Sequence, residues 1–302
     1  MHVTLAATLI IAVASVCFGL VPLFGRVLLE AGLAPEAIAL YRFCMALPLA
    51  LAFLPRRRES LGPFLVLAGA GLAGGLGWTA YLDALDEVPV ASAGVLYMSY
   101  PLFVVLLARL IVGQPITARA TAGAALVLGG ALIVNAPGTI GAADWLVLLS
   151  SLPAPIGFAL IVVLLATVGH DLSTLERWSA ICVGHVAGLL PAALLSPAGT
   201  LLPASAGGWL WISGLALVTA TVPQILYTLA SRRVSPSRAA AAGAAELPTM
   251  IAVGWLAFGE RLGVHETVGA LLVIAAIAVT PAVAPAGRPA PRFMAAAVNG
   301  RS

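Results

Sequence analysis

From about residue 4 to residue 284 the chain is a succession of unbroken apolar stretches. Short connections rich in glycine, proline and arginine join them. Each stretch is close to the roughly 20 residues that an α-helix needs to cross a bilayer. A water-soluble core cannot hide so many. The composition agrees: 61% of residues are hydrophobic, 9% are charged and the mean hydropathy is +1.07, against about 25% charged in soluble domains. Lipid is therefore the main solvent. In hydrocarbon every backbone donor and acceptor needs an internal partner, which leaves helices or closed barrels. The stretches are continuous rather than alternating, so the barrel is excluded.

Punctuation by Pro, Gly and charge predicts ten spans, at roughly 4–29, 35–55, 61–82, 89–111, 119–136, 144–168, 176–196, 206–230, 237–258 and 264–284. The expected fold class is all-α and polytopic, with ten transmembrane helices and no soluble domain. The tail over 285–302, rich in Pro and Arg, reads as a disordered cytoplasmic extension. The N-terminus lacks the cationic region of a signal peptide and is read as the first span. All fifteen cationic residues are Arg. With the N-terminus inside, twelve fall on the cytoplasmic face, while Glu30, Asp83, Asp86, Glu87 and Asp144 collect on the other. This bias puts both termini in the cytoplasm, and the expected location is the inner membrane. It also makes the basic balance a topology signal rather than a nucleic-acid surface. The three cysteines, Cys17, Cys44 and Cys182, lie within apolar runs at spacings that suggest neither a disulfide framework nor a metal site.

The sequence also repeats itself. Shifted by 146 residues, Tyr81 to Ile133 aligns with Tyr227 to Val279, with matches at Tyr81/Tyr227, Gly113/Gly259, Thr121/Thr267 and Gly123/Gly269. Each repeat holds five predicted helices. An odd number forces the second copy to enter the membrane upside down, so residues 1–137 and 143–284 are expected to be inverted five-helix halves. Such symmetry suits a carrier whose halves exchange conformations around a central site.

Four segments carry a family resemblance: Gly19 with Pro22; LYRF (Leu40–Phe43); Val90 through SYP (Ser99–Pro101) to GQPIT (Gly113–Thr117); and ELPTMIAVGWLAFGERL (Glu246–Leu262) followed by VGALLVIAAIAV (Val268–Val279). On these the chain resembles the ten-helix EamA type of the drug/metabolite transporter superfamily. It departs from the pattern at Gln114, where Glu is usual, and in Glu-Leu-Pro, where Glu-Pro is commoner. The resemblance implies a secondary carrier, often an exporter of amino acids or related small metabolites. Its expected partners are a small-molecule substrate, the lipid bilayer and, as a candidate coupling ion, the proton. A sugar or nucleotide-sugar carrier and a non-transporting membrane sensor are the rival readings.

Several residues stand out within the spans. An ionisable group at mid-membrane costs roughly 2.5–3.5 kcal/mol on insertion scales and so faces protein or water. Glu246 is read either as a proton acceptor or partner of a substrate amine, or as a structural acid. Arg42 lies about 10 Å into the second span. It is read as a structural or gating partner, with a substrate anion or outward snorkelling as alternatives. Trp78 and Tyr81 share a face at i,i+3, as do Tyr97 and Tyr100, and Gln224 and Tyr227 are the repeat partners of the first two. With Phe158 these residues are expected to wall a central pocket built by the third, fourth, sixth, eighth and ninth spans. An interfacial aromatic belt or helix packing is the plainer alternative. Pro22, Pro48, Pro101, Pro153, Pro155, Pro191, Pro223 and Pro248 are expected to interrupt their spans. Pro101 and Pro248 fall at nearly matched repeat positions and are the gating candidates. His185 is expected to be packed and hydrogen-bonded. No Walker loop, G-x-S-x-G elbow, H-E-x-x-H motif or Cys/His cluster occurs, so no cofactor, metal or catalytic residue is expected and the chain does not read as an enzyme.

Overall fold

The computed structural model describes residues 2–87, 97–134, 149–259 and 264–280, and these form helices and short connections. The first predicted span is α1 (His2–Phe18) and α2 (Val21–Glu30), and the second is α3 (Pro35–Cys44) and α4 (Leu47–Ala52). The third is the unbroken α5 (Arg58–Glu87). The fourth is α6 (Tyr100–Leu107), running into a π turn over Ala108–Val112, and the fifth is α7 (Ala118–Val134). The second half contains α8 (Pro153–Thr167), α9 (Thr174–Leu195), and α10 (Ala206–Ala216), which continues through a π turn (Leu217–Thr221) into α11 (Val222–Ser231). It closes with α12 (Pro236–Gly243), α13 (Glu246–Phe258) and α14 (Val264–Val279).

Among the described residues, six helical stretches are long and apolar enough to cross a membrane: Val3–Glu30, Pro35–Ala52, Arg58–Tyr81, Thr174–Leu195, Ala206–Ser231 and Pro236–Phe258. Tyr100–Val112, Pro153–Thr167 and Thr267–Val279 are shorter apolar helices. The start of the fourth predicted span, the junction of the two halves at 137–143, Arg261 and the C-terminal tail lie outside the described residues. The third helix runs past its predicted end at 82 to Glu87. A helix bonds its own backbone and needs no apolar side chains once it reaches the interface.

Proline placement explains the broken spans. Proline lacks an N–H, and its ring clashes with the carbonyl four residues earlier. Pro22, Pro48, Pro101 and Pro223 each sit in the first two positions of a new helix. Tight i→i−3 bonds carry the chain across the breaks, among them Leu23 N to Leu20 O (3.1 Å), Ala46 N to Phe43 O (3.1 Å) and Ala245 N to Ala242 O (3.2 Å). Pro191 differs: α9 continues through it. The Ala187 carbonyl, four residues earlier, goes without the donor that proline lacks.

Small residues set the packing. Lipid offers no hydrophobic drive between helices, so close backbone approach has to hold them together. A methyl group on Gly188 of α9 would lie 2.6 Å from the Leu72 carbonyl oxygen of α5. One on Gly157 of α8 would lie 2.8 Å from the Ala73 oxygen. Helix α5 thus runs against α8 and α9 with almost nothing between the backbones. α8 is apolar all round and buried along most of its length, as befits a helix enclosed by others. α7 and α14 pair with each other, α1 packs on α11 and α12, and α10 packs on α2 and α3. Leu65, Leu110, Leu194, Leu195 and Leu256 face outward, toward lipid.

Three arginines read from sequence as surface topology residues have internal partners. Arg177, 1% exposed, donates to the Thr228 carbonyl and to Ser231 Oγ (3.0 Å). Arg232 donates to the carbonyls of Gly169 and Leu172, and Arg238 to those of Ile277 and Thr280. The last carbonyls of a helix lack intrahelical donors and carry the negative end of its dipole, so Arg177 and Arg238 settle there, while the acceptors of Arg232 lie in the loop after α8. Gly188→Ala is expected to destabilise the bundle by about 1–3 kcal/mol through overpacking. Gly69→Ala, where nothing lies within 4 Å, is expected to be neutral or mildly stabilising. Thermal midpoints of the two variants in detergent check this.

Candidate functional site

The carboxylate of Glu246 owes its place to a break. Ala244 and Ala245 interrupt the ninth span, and α13 restarts with Glu246-Leu247-Pro248. Glu246 is thus the first residue of a helix, where the dipole favours a negative charge. It is 8% exposed, and its carboxylate makes no hydrogen bond with any described residue. Opposite lies the break in the first span. A methyl group on Gly19 would sit 2.8 Å from the Glu246 carbonyl oxygen and 2.5 Å from Thr249 Cβ, so only glycine permits this approach.

Arg42 is also 8% exposed. Its Nε and Nη2 donate to the carbonyl of Thr219, at 3.2 and 2.7 Å. That acceptor is free because its i+4 residue is Pro223, which has no N–H to give. The guanidinium lies 5.4–5.9 Å from the ring centres of Phe18, Phe43 and Trp78, within cation–π range. Arg42 and Glu246 form no ion pair with each other. The ion pair among the described residues is the exposed Arg26–Glu30. Arg42 therefore points inward and meets no carboxylate among the described residues.

The six aromatic residues singled out in the sequence meet in one connected cluster. Phe158 of α8 packs edge-on against Tyr100 at 4.9 Å, and lies 6.0 Å from Tyr97 and 6.5 Å from Tyr227. Tyr97 also contacts Trp78 at 5.6 Å and Tyr81 at 5.9 Å. Phe18 extends the set through Tyr227 at 6.4 Å. The Tyr100 hydroxyl donates to the Ala240 carbonyl at 2.9 Å, just before the break in the ninth span. At this site Tyr227 Oη and Ser99 Oγ are buried without a hydrogen-bond partner among the described residues. Gln224, also buried, shares with Arg42, Phe43, Cys182 and Thr221 a cavity with room for about one water molecule. The 146-residue shift that pairs Trp78 with Gln224 and Tyr81 with Tyr227 also pairs Tyr100 with Glu246. Both members of every pair stand at this site.

Pro101 and Pro248 border the site, each just inside the helix that begins at a break. Phe18, Phe43 and Thr219 belong to it but carry little sequence signal, although Phe43 directly follows Arg42. His185 is packed as expected: its Nδ1 lies 2.9 Å from the Ile181 carbonyl oxygen, and its ring stacks on Phe43 at 4.2 Å. Trp209 stands apart, against Tyr41 at 5.6 Å.

A helical membrane bundle with broken spans converging on buried charges and rings has the make-up of a solute transporter. The model of the EamA-like transporter family matches residues 5–136 and again 143–280, and the chain belongs to this family. It is 30% identical over 203 residues to a protein of Rhizobium johnstonii named riboflavin transporter. The match covers 67% of this chain and 65% of that relative's length. A solved crystal structure, described only as that of a protein, superposes with a TM-score of 0.73 at 19% identity. It covers 91% of this chain and 96% of its own, a likeness of fold.

Tyr100→Phe is expected to cost about 0.5–1.5 kcal/mol, since it removes a made hydrogen bond. Tyr227→Phe, which removes a buried hydroxyl without a partner, is expected to be neutral or stabilising. Paired unfolding measurements of the two variants separate these effects.

Proposed function

We propose that this protein is an inner-membrane secondary carrier that moves small organic metabolites bearing a flat ring outward by alternating access. The aromatic cluster carries the reading. Six rings from α5, the α6 region, α8 and α11 meet in one cluster, and two buried hydroxyls there, Ser99 Oγ and Tyr227 Oη, have no hydrogen-bond partner among the described residues. A ligand lying among those rings gains stacking area and supplies the missing hydrogen bonds.

Ten spans arranged as inverted halves, residues 1–137 and 143–284 with a cytoplasmic tail over 285–302, fit the mirrored packing. The third span packs on the sixth and seventh, the eighth on the first and second, and the fifth on the tenth. Gly113 and Gly259, equivalent under the repeat, both end helices with positive φ, at 75° and 67°. Both termini lie inside by the arginine bias. Pro101 and Pro248 mark the hinges, and Arg42 braces the second span against the eighth. Outward movement and amino-acid substrates come from the family resemblance. The curated relative's name adds flavins, which are flat heteroaromatics. Glu246 is the coupling group: it is buried in the first turn of α13, and a proton on it removes a charge that has no hydrogen-bond partner among the described residues.

Proteoliposome flux of labelled aromatic amino acids, small amines and riboflavin, with and without a pH gradient, tests the proposal. Gradient-dependent flux of at least one ring-bearing solute is expected. Phe158→Ala is expected to reduce it at least tenfold, and Glu246→Gln to abolish its gradient dependence. Flux indifferent to the gradient and to Glu246→Gln leaves a facilitator. No flux of any of these solutes sinks the flat-ring carrier.

A further inference from the structure

We infer that the turn between the second and third spans is a lipid site: Arg56, Arg57 and Arg58 take the phosphate of an anionic phospholipid, and the outward face of α5 takes its acyl chain. The site lies at the protein's edge and does not depend on what the carrier moves.

The arginines on the face that their bias makes cytoplasmic differ in what they do. Arg177, Arg232 and Arg238 are spent on backbone carbonyls inside the bundle, and Arg109 donates to the Gly113 carbonyl at 3.3 Å. Arg56, Arg57 and Arg58 are all exposed and make no hydrogen bond or ion pair with any described residue, the neighbouring Glu59 included. Three arginines against one glutamate leave two net positive charges over four consecutive residues. Their position is fixed. Five residues, Phe53 to Arg57, separate α4 from α5, so the turn cannot rise far above the bilayer. Phe53 anchors it against the buried Ala46, Ala50, Trp178 and Cys182. The triad also stands at the start of a 30-residue helix. The first N–H groups of a helix lack intrahelical acceptors and carry the positive end of its dipole.

What lies beneath the arginines makes the anion a lipid's. From Arg58 one stripe runs along α5 at helical spacing through Gly62, Leu65, Gly69, Leu72 and Leu76, every one of them exposed. A methyl group on Gly62 or Gly69 would meet nothing within 4 Å, whereas Gly71 and Gly77, on the other side of the helix, abut α9 and α8. The stripe is thus a shallow track of leucines and open notches that no helix fills among the described residues. Gly62 and Leu65 lie about 6 and 10 Å below Arg58, within the roughly 15 Å of hydrocarbon that one leaflet supplies. A soluble phosphate would use the charges alone. An anionic phospholipid uses the charges and the track together, and clustered arginines at a membrane surface attract such lipids. The turn joins the span of Arg42 to that of Trp78 and Tyr81, so a lipid held there braces two walls of the central site.

Native mass spectrometry of the full chain in detergent, titrated with phosphatidylglycerol, phosphatidylcholine or glycerol 3-phosphate, tests the site. Phosphatidylglycerol is expected to bind at least about tenfold more tightly than phosphatidylcholine, whose headgroup carries no net charge. Glycerol 3-phosphate, which has the phosphate without the chains, is expected not to be retained. Arg56→Gln, Arg57→Gln and Arg58→Gln are each expected to weaken phosphatidylglycerol binding about fivefold, the scale of one arginine at an anionic surface. Each single change leaves the other cytoplasmic arginines to orient the chain. The double variant Arg119→Gln, Arg233→Gln removes two exposed arginines elsewhere and is expected to bind phosphatidylglycerol as wild type does. Equal affinity for the two lipids overturns the site. So does a loss in the double variant as large as in the single ones, which makes the attraction diffuse. Glycerol 3-phosphate held as tightly as phosphatidylglycerol leaves a soluble-anion site and overturns the lipid. None of these outcomes touches the carrier reading.

Discussion

A backbone carbonyl that loses its donor inside a membrane must find another, and much of this structure follows from that demand. Pro223 withholds the N–H that Thr219 would otherwise accept, and Arg42 reaches across from another span to replace it. A cation enters the protein's centre as a result, at a depth where it is otherwise expensive. The same demand at helix ends draws in Arg177 and Arg238. Where the ninth span restarts after its break, the exposed N–H groups create a place for a carboxylate. Charge in this protein therefore sits where the helical hydrogen-bond ladder is incomplete.

Packing supplies the geometry that those charges need. Because α5 meets α8 and α9 at glycines, Trp78 and Tyr81 on α5 come within ring contact of residues carried by the neighbouring helices. Bulkier side chains along that seam would hold α5 further off and open the aromatic cluster. Glycine is thus indirectly a site determinant, although no glycine here has chemistry of its own. Gly243 shows the same logic: a methyl group there would lie 2.6 Å from the Tyr100 hydroxyl, which needs that space to reach Ala240.

Much of this was legible in the chain. Periodicity placed Trp78 beside Tyr81 and Tyr97 beside Tyr100, the repeat supplied Gln224 and Tyr227, and proline positions marked most of the breaks. These are local or translational signals, which one sequence preserves. The rest depends on tertiary contacts between distant segments. Arg42 looks the same on paper whether its partner is a carboxylate, water or the Thr219 carbonyl. Phe18 and Phe43 look like any lipid-facing Phe until the helices are assembled. Arg177 read as a surface residue because loop arginines usually are, and only the converging helix ends bury it. Pro191 read as a break like the other prolines, yet α9 continues through it.

The contact between Gly19 and Glu246 has a mechanical consequence. Backbones this close act as a bearing, free to slide or roll but not to be compressed. A rocking movement of the first span therefore cannot proceed independently of the segment that carries the carboxylate. The two spans belong to opposite halves of the chain, so the halves are geared together at the very residue that holds the buried negative charge.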